Sequence, residues 1–203
     1  PSGVVEGDGG VLDTVADGTD LDFGELDPRV TDEFKILQTG YKFFPSAYFT
    51  QSPVTAVLDV LAESNLDPRS VESVDVRTFD MAVDATAGEE KWASDITREQ
   101  ANFSIPYCVA AALVDGELTR DQFAPERLTD DRIHEVMQRI SVTSSGELND
   151  YRRDHPRHVP AVVRIETGDE SYETRVDYPI GHPDDAVSHR QLDDREDHRG
   201  QAP

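Results

Sequence analysis

The stretch that decides the fold is Ile105-Pro106-Tyr107-Cys108-Val109-Ala110-Ala111-Ala112-Leu113-Val114, followed by Asp115-Gly116. A run of almost wholly apolar residues favours a helix that is buried on all sides, and its small side chains permit close packing. Thr97-Arg98-Glu99-Gln100 fits a capping box, which predicts that this helix starts at Thr97. Gly116 predicts its end. We therefore expect the core to be built around this helix.

Apolar periodicity on either side predicts further helices and strands in no strict alternation. One helix is predicted with Ser52 as its N-cap and Pro53 as its first residue, and a later one with Thr129 as its cap. We expect residues 80–96 to be irregular. The predicted strands are Phe34–Thr39, Val71–Phe79, Ile140–Thr143, Val162–Glu166 and Tyr172–Tyr178, the last two forming a hairpin around Gly168-Asp169. The pattern indicates an α+β fold, a mostly antiparallel sheet with helices packed on one face.

Three regions are predicted from composition along the chain. Residues 1–33 are rich in Gly and Asp and form a leader, residues 34–183 form the α+β domain, and residues 184–203 form a charged, disordered tail. The chain begins with Pro1 rather than Met, from which we expect it to be a piece of a longer protein.

The charge of the chain excludes several classes of partner. It has 203 residues, 42 acidic against 19 basic, and a formal net charge of -23. A field of this sign repels nucleic acid and anionic membranes, so neither is an expected partner. An acidic block would indicate an interaction tail, but here the acidic residues are dispersed. Together with the scarcity of lysine, this is typical of a halophilic, cytoplasmic protein, in which salt screens self-repulsion.

The cysteine count and the hydropathy of the chain limit its redox chemistry and its expected location. Cys108 is the only cysteine, so the chain forms no internal disulfide and cannot ligate an iron–sulfur cluster with cysteines. No signal peptide and no long apolar span is visible, from which we expect a cytoplasmic location.

Lys42 is the first candidate site residue. It lies in Thr39-Gly40-Tyr41-Lys42-Phe43-Phe44-Pro45, where an extended segment meets a proline turn shortly before a predicted helix. A cation near the positive N-terminus of a helix suits a carboxylate ligand. The alternative is an ordinary surface lysine, although a chain with only Lys35, Lys42 and Lys91 as lysines has kept one here.

Several segments together resemble the MmgE/PrpD family, which includes 2-methylcitrate dehydratases and cis-aconitate decarboxylases. The resemblance runs from about residue 7 to residue 183. It is carried by the glycine-bearing segment Gly7 to Leu12, by Phe34 to Lys42, by Ala101 to Gly116, which is the most specific, and by Tyr178-Pro179-Ile180-Gly181-His182-Pro183.

The resemblance implies a fold and a chemistry. It implies that this chain is the smaller α+β domain and that a large helical domain, from upstream sequence or a separate chain, closes the active site over a polycarboxylic acid. It further implies a lyase that removes an α-proton and a β-hydroxyl without a cofactor, with 2-methylcitrate or a similar tricarboxylic acid as substrate. We also expect the chain to form a homodimer. Lys42 matches the family's active-site lysine.

Three further residues are predicted to bind substrate, each with a structural alternative. Gln51 stands where related proteins often carry His, and it is alternatively a helix-start residue; an amide cannot serve as a base. Tyr107 is alternatively a core tyrosine, and His182 alternatively a structural histidine. Ser46 and Ala47 replace histidines of some relatives, which disfavours decarboxylation.

We predict no metal site, because His155 and His158 lie in a loop without an evident acidic or cysteine partner set. A second hypothesis is that the whole chain is a non-catalytic binding or assembly partner, half of a split or vestigial enzyme.

Overall fold

The computed structural model describes residues 35–64 and 66–186. The chain divides into two compact units, residues 1–39 and residues 40–203. The predictions for the leader and for the tail beyond residue 186 lie outside the described residues. In the first unit, Lys35–Gln38 is a 3-10 helix. The predicted strand at Phe34–Thr39 is therefore wrong over these residues, since a short apolar run does not by itself distinguish strand from helix.

A four-stranded sheet forms the centre of the second unit. Its strands are β1 (Val71–Thr78), β2 (Ile140–Ser144), β3 (Ala161–Thr167) and β4 (Ser171–Val176), in the order β2-β1-β3-β4. β1 pairs in parallel with β2 and antiparallel with β3, and β3 pairs antiparallel with β4. The predicted α+β fold with a mostly antiparallel sheet is confirmed, and so is the hairpin of β3 and β4.

Seven α-helices accompany the sheet within the described residues. They are α1 (Gln51–Glu63), α2 (Asp80–Thr86), α3 (Arg98–Asn102), α4 (Ile105–Asp115), α5 (Pro125–Leu128), α6 (Asp131–Met137) and α7 (Gly146–Asp154). None of the helices in this part of the chain has the length and apolarity that crossing a membrane requires.

The two faces of the sheet differ sharply in burial. On one face, Val74 and Val76 of β1 lie opposite Ile165 and Val163 of β3, and all four are buried. α1 packs over β3 and β4, while α4 packs against α1 and β2. The other face carries charged side chains, including an ion pair between Arg77 and Glu173 at 2.7 Å. This alternation is the period of two that a half-buried strand requires.

The apolar stretch at the centre of the sequence forms α4, whose residues from Ile105 to Leu113 are all buried. The predicted capping box at Thr97 is confirmed, but it belongs to the short α3. The expectation of one continuous helix from Thr97 is wrong, because the Ser104 side chain accepts a hydrogen bond from the N–H of Tyr107 and starts a new helix. Gly116 ends α4 with φ of 74°, a conformation that glycine adopts without strain.

Other helix boundaries depart from the sequence prediction. α1 begins at Gln51, before Ser52, because a 3-10 turn at Tyr48–Thr50 leads directly into it. α6 is capped by Asp130 rather than Thr129. Residues 80–96 and the segment after β2 contain α2 and α7, which were not predicted. α2 has only seven residues and α7 carries few apolar ones, so periodicity gives little signal for either helix.

Candidate functional site

The loop that carries Lys42, residues 42–47, is held in place by the side chain of Gln51. The amide oxygen accepts hydrogen bonds from the N–H groups of Phe43 at 3.0 Å and Phe44 at 2.9 Å. The amide nitrogen donates to the Phe44 carbonyl at 3.1 Å and to the Ser46 hydroxyl at 3.1 Å. Gln51 is fully buried. Its amide thus supplies hydrogen-bond partners to backbone groups of this loop.

Lys42 is exposed at the start of this loop. Within residues 35–64 and 66–186, no carboxylate forms an ion pair with its ammonium, whereas Lys91 pairs with Glu90 at 3.5 Å. The neighbouring Tyr41 donates its backbone N–H to the carbonyl of Gly181 at 2.8 Å. The lysine is therefore available to an anion, on a backbone that is fixed on both sides.

The segment whose Gly181 carbonyl accepts the hydrogen bond from Tyr41 also contains His182. This histidine is only 3% exposed, and its Nδ1 accepts a hydrogen bond from the backbone N–H of Asp184 at 3.2 Å. Burial lowers the pKa of His182, since desolvation disfavours the charged imidazolium. The Tyr41–Gly181 bond therefore places the segment of Lys42 beside that of a buried histidine whose neutral form is favoured.

His182 belongs to a group of three histidines, which we call the histidine cluster: His155, His158 and His182. The ring of His158 stacks on His155 with centroids 5.0 Å apart and meets the ring of His182 edge-on at 5.0 Å. Tyr178 contacts both His158 and His182. The Tyr151 hydroxyl is 2.9 Å from Nδ1 of His158. Aromatic contacts therefore fix the ring orientations in this cluster.

Arg152 of α7 shapes the loop that leads into the cluster. Its guanidinium donates to the carbonyls of Pro156 at 3.1 Å and His158 at 2.5 Å, and it lies 4.3 Å from the ring centre of Phe79. Desolvation lowers the pKa of Arg152 and raises that of nearby Tyr48. The cation is engaged by carbonyls and aromatic faces, so its first role is to hold this loop.

Tyr107 lies apart from these groups, in the core. It is fully buried in α4, and its hydroxyl donates to the carbonyl of Gln122 at 2.6 Å. Burial raises its pKa, so the hydroxyl stays protonated near neutral pH. This geometry gives Tyr107 a packing role; contact with a substrate stays a prediction for it, as it does for the equally buried Gln51.

The structure therefore places Lys42 and His182 on adjacent segments, with Gln51 hydrogen-bonded to the loop that carries Lys42. Tyr107 lies in the core, apart from these residues. Sequence reasoning did not foresee the parts played by Tyr151 and Arg152. One signal could have found them, because Tyr151-Arg152-Arg153-Asp154-His155-Pro156-Arg157-His158 concentrates cationic and aromatic side chains in a strongly acidic chain.

Comparison with known families agrees with this architecture. The family described as the MmgE/PrpD C-terminal domain matches residues 44–195, and the chain belongs to this family. The matched range includes Gln51 and the histidine cluster, while Lys42 lies just before it. A search among curated proteins found no match to the chain.

Proposed function

We propose that this chain is the C-terminal domain of a MmgE/PrpD-type lyase that dehydrates 2-methylcitrate or a similar tricarboxylic acid. The observation that carries the proposal is Lys42, an exposed cation without an ion-pair partner among the described residues, on a loop fixed by Gln51 and next to the His182 segment. Membership of the family supports a lyase at the coarser level.

In the proposed reaction a base removes the proton from a carbon next to a carboxylate, and the hydroxyl on the neighbouring carbon leaves as water. Negative charge develops on the carboxylate as the proton departs. The Lys42 ammonium is suited to neutralise either the ground-state carboxylate or this developing charge. Gln51 cannot supply the base, because its amide does not accept protons near neutral pH. We assign the base to a helical domain that completes the site.

The surface around Lys42 supports docking of such a domain. Tyr41 is 62% exposed and Phe103 is 53% exposed. Phe103 follows Asn102, whose carbonyl accepts a hydrogen bond from the Ala47 N–H of the Lys42 loop. Exposed aromatic residues are features of an interaction surface. A homodimer remains a second expected association of this chain.

The test uses this chain together with the helical part of a family member, supplied either upstream in one polypeptide or as a separate chain. Turnover of 2-methylcitrate is followed by the absorbance of the unsaturated acid. Lys42→Met is expected to lower kcat/KM by about 100-fold or more, the usual cost of removing one charge-stabilising donor. Lys91→Met is the matched control, because Lys91 already pairs with Glu90; it should leave turnover within about twofold.

The rival function is that of a non-catalytic partner. It is favoured by one observation, namely that Gln51 occupies a buried position with all its amide groups engaged in holding the loop. A stable complex with the helical part that has no turnover of 2-methylcitrate, citrate or related acids supports this alternative. Equal activity of the Lys42→Met variant and the parent chain would contradict the proposed role of Lys42.

A further inference from the structure

His158, His182 and Asp184 bring their polar atoms together at one point. One ring nitrogen from each histidine and one carboxylate oxygen of Asp184 all lie within 4.8 Å of one another. Nε2 of His158 is 3.2 Å from Oδ2 of Asp184, and Nδ1 of His182 is 3.5 Å from the same oxygen. We propose that these three residues bind a divalent first-row transition-metal ion of the Zn²⁺ class.

Two of the three separations between the candidate ligand atoms fit such an ion. In a tetrahedral zinc site, with ligand bonds of about 2.0–2.2 Å, neighbouring ligand atoms lie about 3.3 Å apart. The two distances to Oδ2 of Asp184 are close to that value. Two imidazoles and one carboxylate, with a remaining position for water, form a donor set that suits borderline divalent ions better than it suits Mg²⁺ or Ca²⁺.

The protonation states of the two imidazoles are compatible with metal binding. Nδ1 of His182 accepts the N–H of Asp184, so it carries a lone pair rather than a proton. A metal ion would replace this hydrogen bond at Nδ1. Nδ1 of His158 is paired with the Tyr151 hydroxyl, which leaves Nε2 directed at Asp184. When Nε2 binds a metal, the ring proton moves to Nδ1 and is donated to the tyrosine oxygen, an outer hydrogen bond typical of ligating histidines.

The site is buried on the side of the two histidines and open to solvent on the side of Asp184. The side chain of His182 is 3% exposed and that of His158 is 13% exposed, whereas that of Asp184 is 56% exposed. The imidazole side is thus dry and fixed by the contacts with Tyr178, and the carboxylate side admits solvent. A metal ion there would have an entry path and room for a water ligand.

The site could not be seen in the sequence because its parts come from two distant segments. His158 precedes β3, and His182 and Asp184 follow β4; the β3–β4 hairpin returns the chain so that the segments meet. The sequence prediction of no metal site rested on His155 and His158 and did not consider His158 together with His182 and Asp184. A bound ion would link the loop that contains His158 to the segment that contains Gly181. The Gly181 carbonyl also accepts the hydrogen bond from Tyr41.

The experiment uses the full chain after treatment with a chelator and dialysis. Co²⁺ is titrated while its visible absorption is recorded, Zn²⁺ is then added as a competitor, and the melting temperature is measured with and without Zn²⁺. We expect one equivalent of Co²⁺ to bind with the intense bands of a four-coordinate site, Zn²⁺ to displace it, and Zn²⁺ to raise the melting temperature, since a ligand of the native state stabilises it.

Four variants locate the binding. His158→Gln and Asp184→Asn should each lower the Co²⁺ affinity at least tenfold, and Tyr151→Phe should lower it by about 10-fold, as loss of an outer-shell partner does. His155→Gln is the control, because His155 is exposed in the same loop and stacks on His158 but offers no ligand atom to the site. Its affinity should stay within about threefold of the parent chain.

The strongly acidic surface will bind cations weakly at many places, so the competing outcome is adventitious binding. Several equivalents of Co²⁺ with weak, six-coordinate bands, unchanged by His158→Gln and Asp184→Asn, would overturn the proposal. If His158→Gln has no cooperative melt, Asp184→Asn decides alone, because that carboxylate is largely exposed and its replacement leaves the packed rings in place.

Discussion

At the scale of single residues, the loop that carries Lys42 depends on one buried amide. A glutamine side chain offers one carbonyl oxygen and two N–H groups. In Gln51 the oxygen meets two consecutive backbone N–H groups, and the nitrogen faces backbone carbonyls and a hydroxyl of the same loop. A histidine has a different donor and acceptor set and could not make this complete pattern.

Replacing Gln51 by Ala should therefore destabilise the domain strongly. The change removes the oxygen that accepts from the N–H groups of Phe43 and Phe44 next to the core, and loss of a hydrogen bond there costs about 1–3 kcal/mol each. We expect the free energy of unfolding in urea to fall by about 2–4 kcal/mol. Thr55→Ala is the control, because Thr55 lies one turn later in α1 and its hydroxyl donates only to the carbonyl of Gln51. Equal losses in the two variants would show that the loop does not depend on the amide.

At the scale of secondary-structure elements, the junction between α3 and α4 is set by Ser104. Its hydroxyl oxygen accepts from the N–H of Tyr107 at 3.0 Å and its O–H donates to the carbonyl of Lys91 at 2.9 Å. The serine both starts α4 and ties the preceding 3-10 turn at Glu89–Trp92 to it. Thr97 plays the corresponding part for α3, but on the protein surface.

Replacing Thr97 and Ser104 by alanine should separate the contribution of helix capping to the free energy of unfolding from that of the tertiary hydrogen bond of Ser104. Thr97→Ala is expected to cost about 1 kcal/mol, the usual value for a cap. Ser104→Ala should cost about 2 kcal/mol or more, because Ser104 is fully buried and its loss also removes the donor of the partly buried Lys91 carbonyl. Denaturant titration of both variants measures the difference. A smaller loss for Ser104→Ala than for Thr97→Ala would contradict this account of the junction.

The elements that the sequence predicted well are those with strong periodicity and burial. β1, β3, α1 and α4 were all expected, since each combines buried apolar residues with a clear start or stop signal, and β4 was expected from its alternating pattern. α2 and α7 were not, because they expose most of their surface. Their stability comes from packing such as that of Arg152 on Phe79, which no local pattern contains.

The candidate site follows the same rule. Lys42 could be proposed from its local context and from resemblance to a family. The burial of Tyr107 was expected from the apolar stretch around it, whereas that of Gln51 was not, because it depends on which loops cover the start of α1. The meeting of His158 with His182 depends on the β3–β4 hairpin bringing distant segments together, and sequence spacing does not reveal such a contact.

At the scale of the whole molecule, the net charge of -23 sets the conditions under which the fold is stable. Unbalanced negative charge repels itself more strongly in the compact state than in the extended chain. At 1 M salt the screening length is about 3 Å, so most of this repulsion disappears. The ion pairs on the outer face of the sheet, such as Arg77 with Glu173, remove only a part of it.

The melting temperature should consequently rise between low salt and molar KCl. We expect screening to add about 2 kcal/mol of stability, which for a chain of this size raises the melting temperature by about 4–8 °C, at about 2–4 °C per kcal/mol. Calorimetry in a KCl series measures it, and sucrose at matched water activity controls for non-ionic effects. An unchanged melting temperature would contradict adaptation of this chain to high salt.

The order of strands in the sheet has a consequence for biosynthesis. β1 leaves the ribosome long before either of its neighbours, since Val74 pairs with Ile140 on one side and Ile165 on the other. At the usual translation rate of about 5–20 residues per second, β1 waits for several seconds with Val74 and Val76 uncovered. Nascent chains halted before β2 should therefore be held by chaperones or aggregate, whereas release after β4 should yield the native domain.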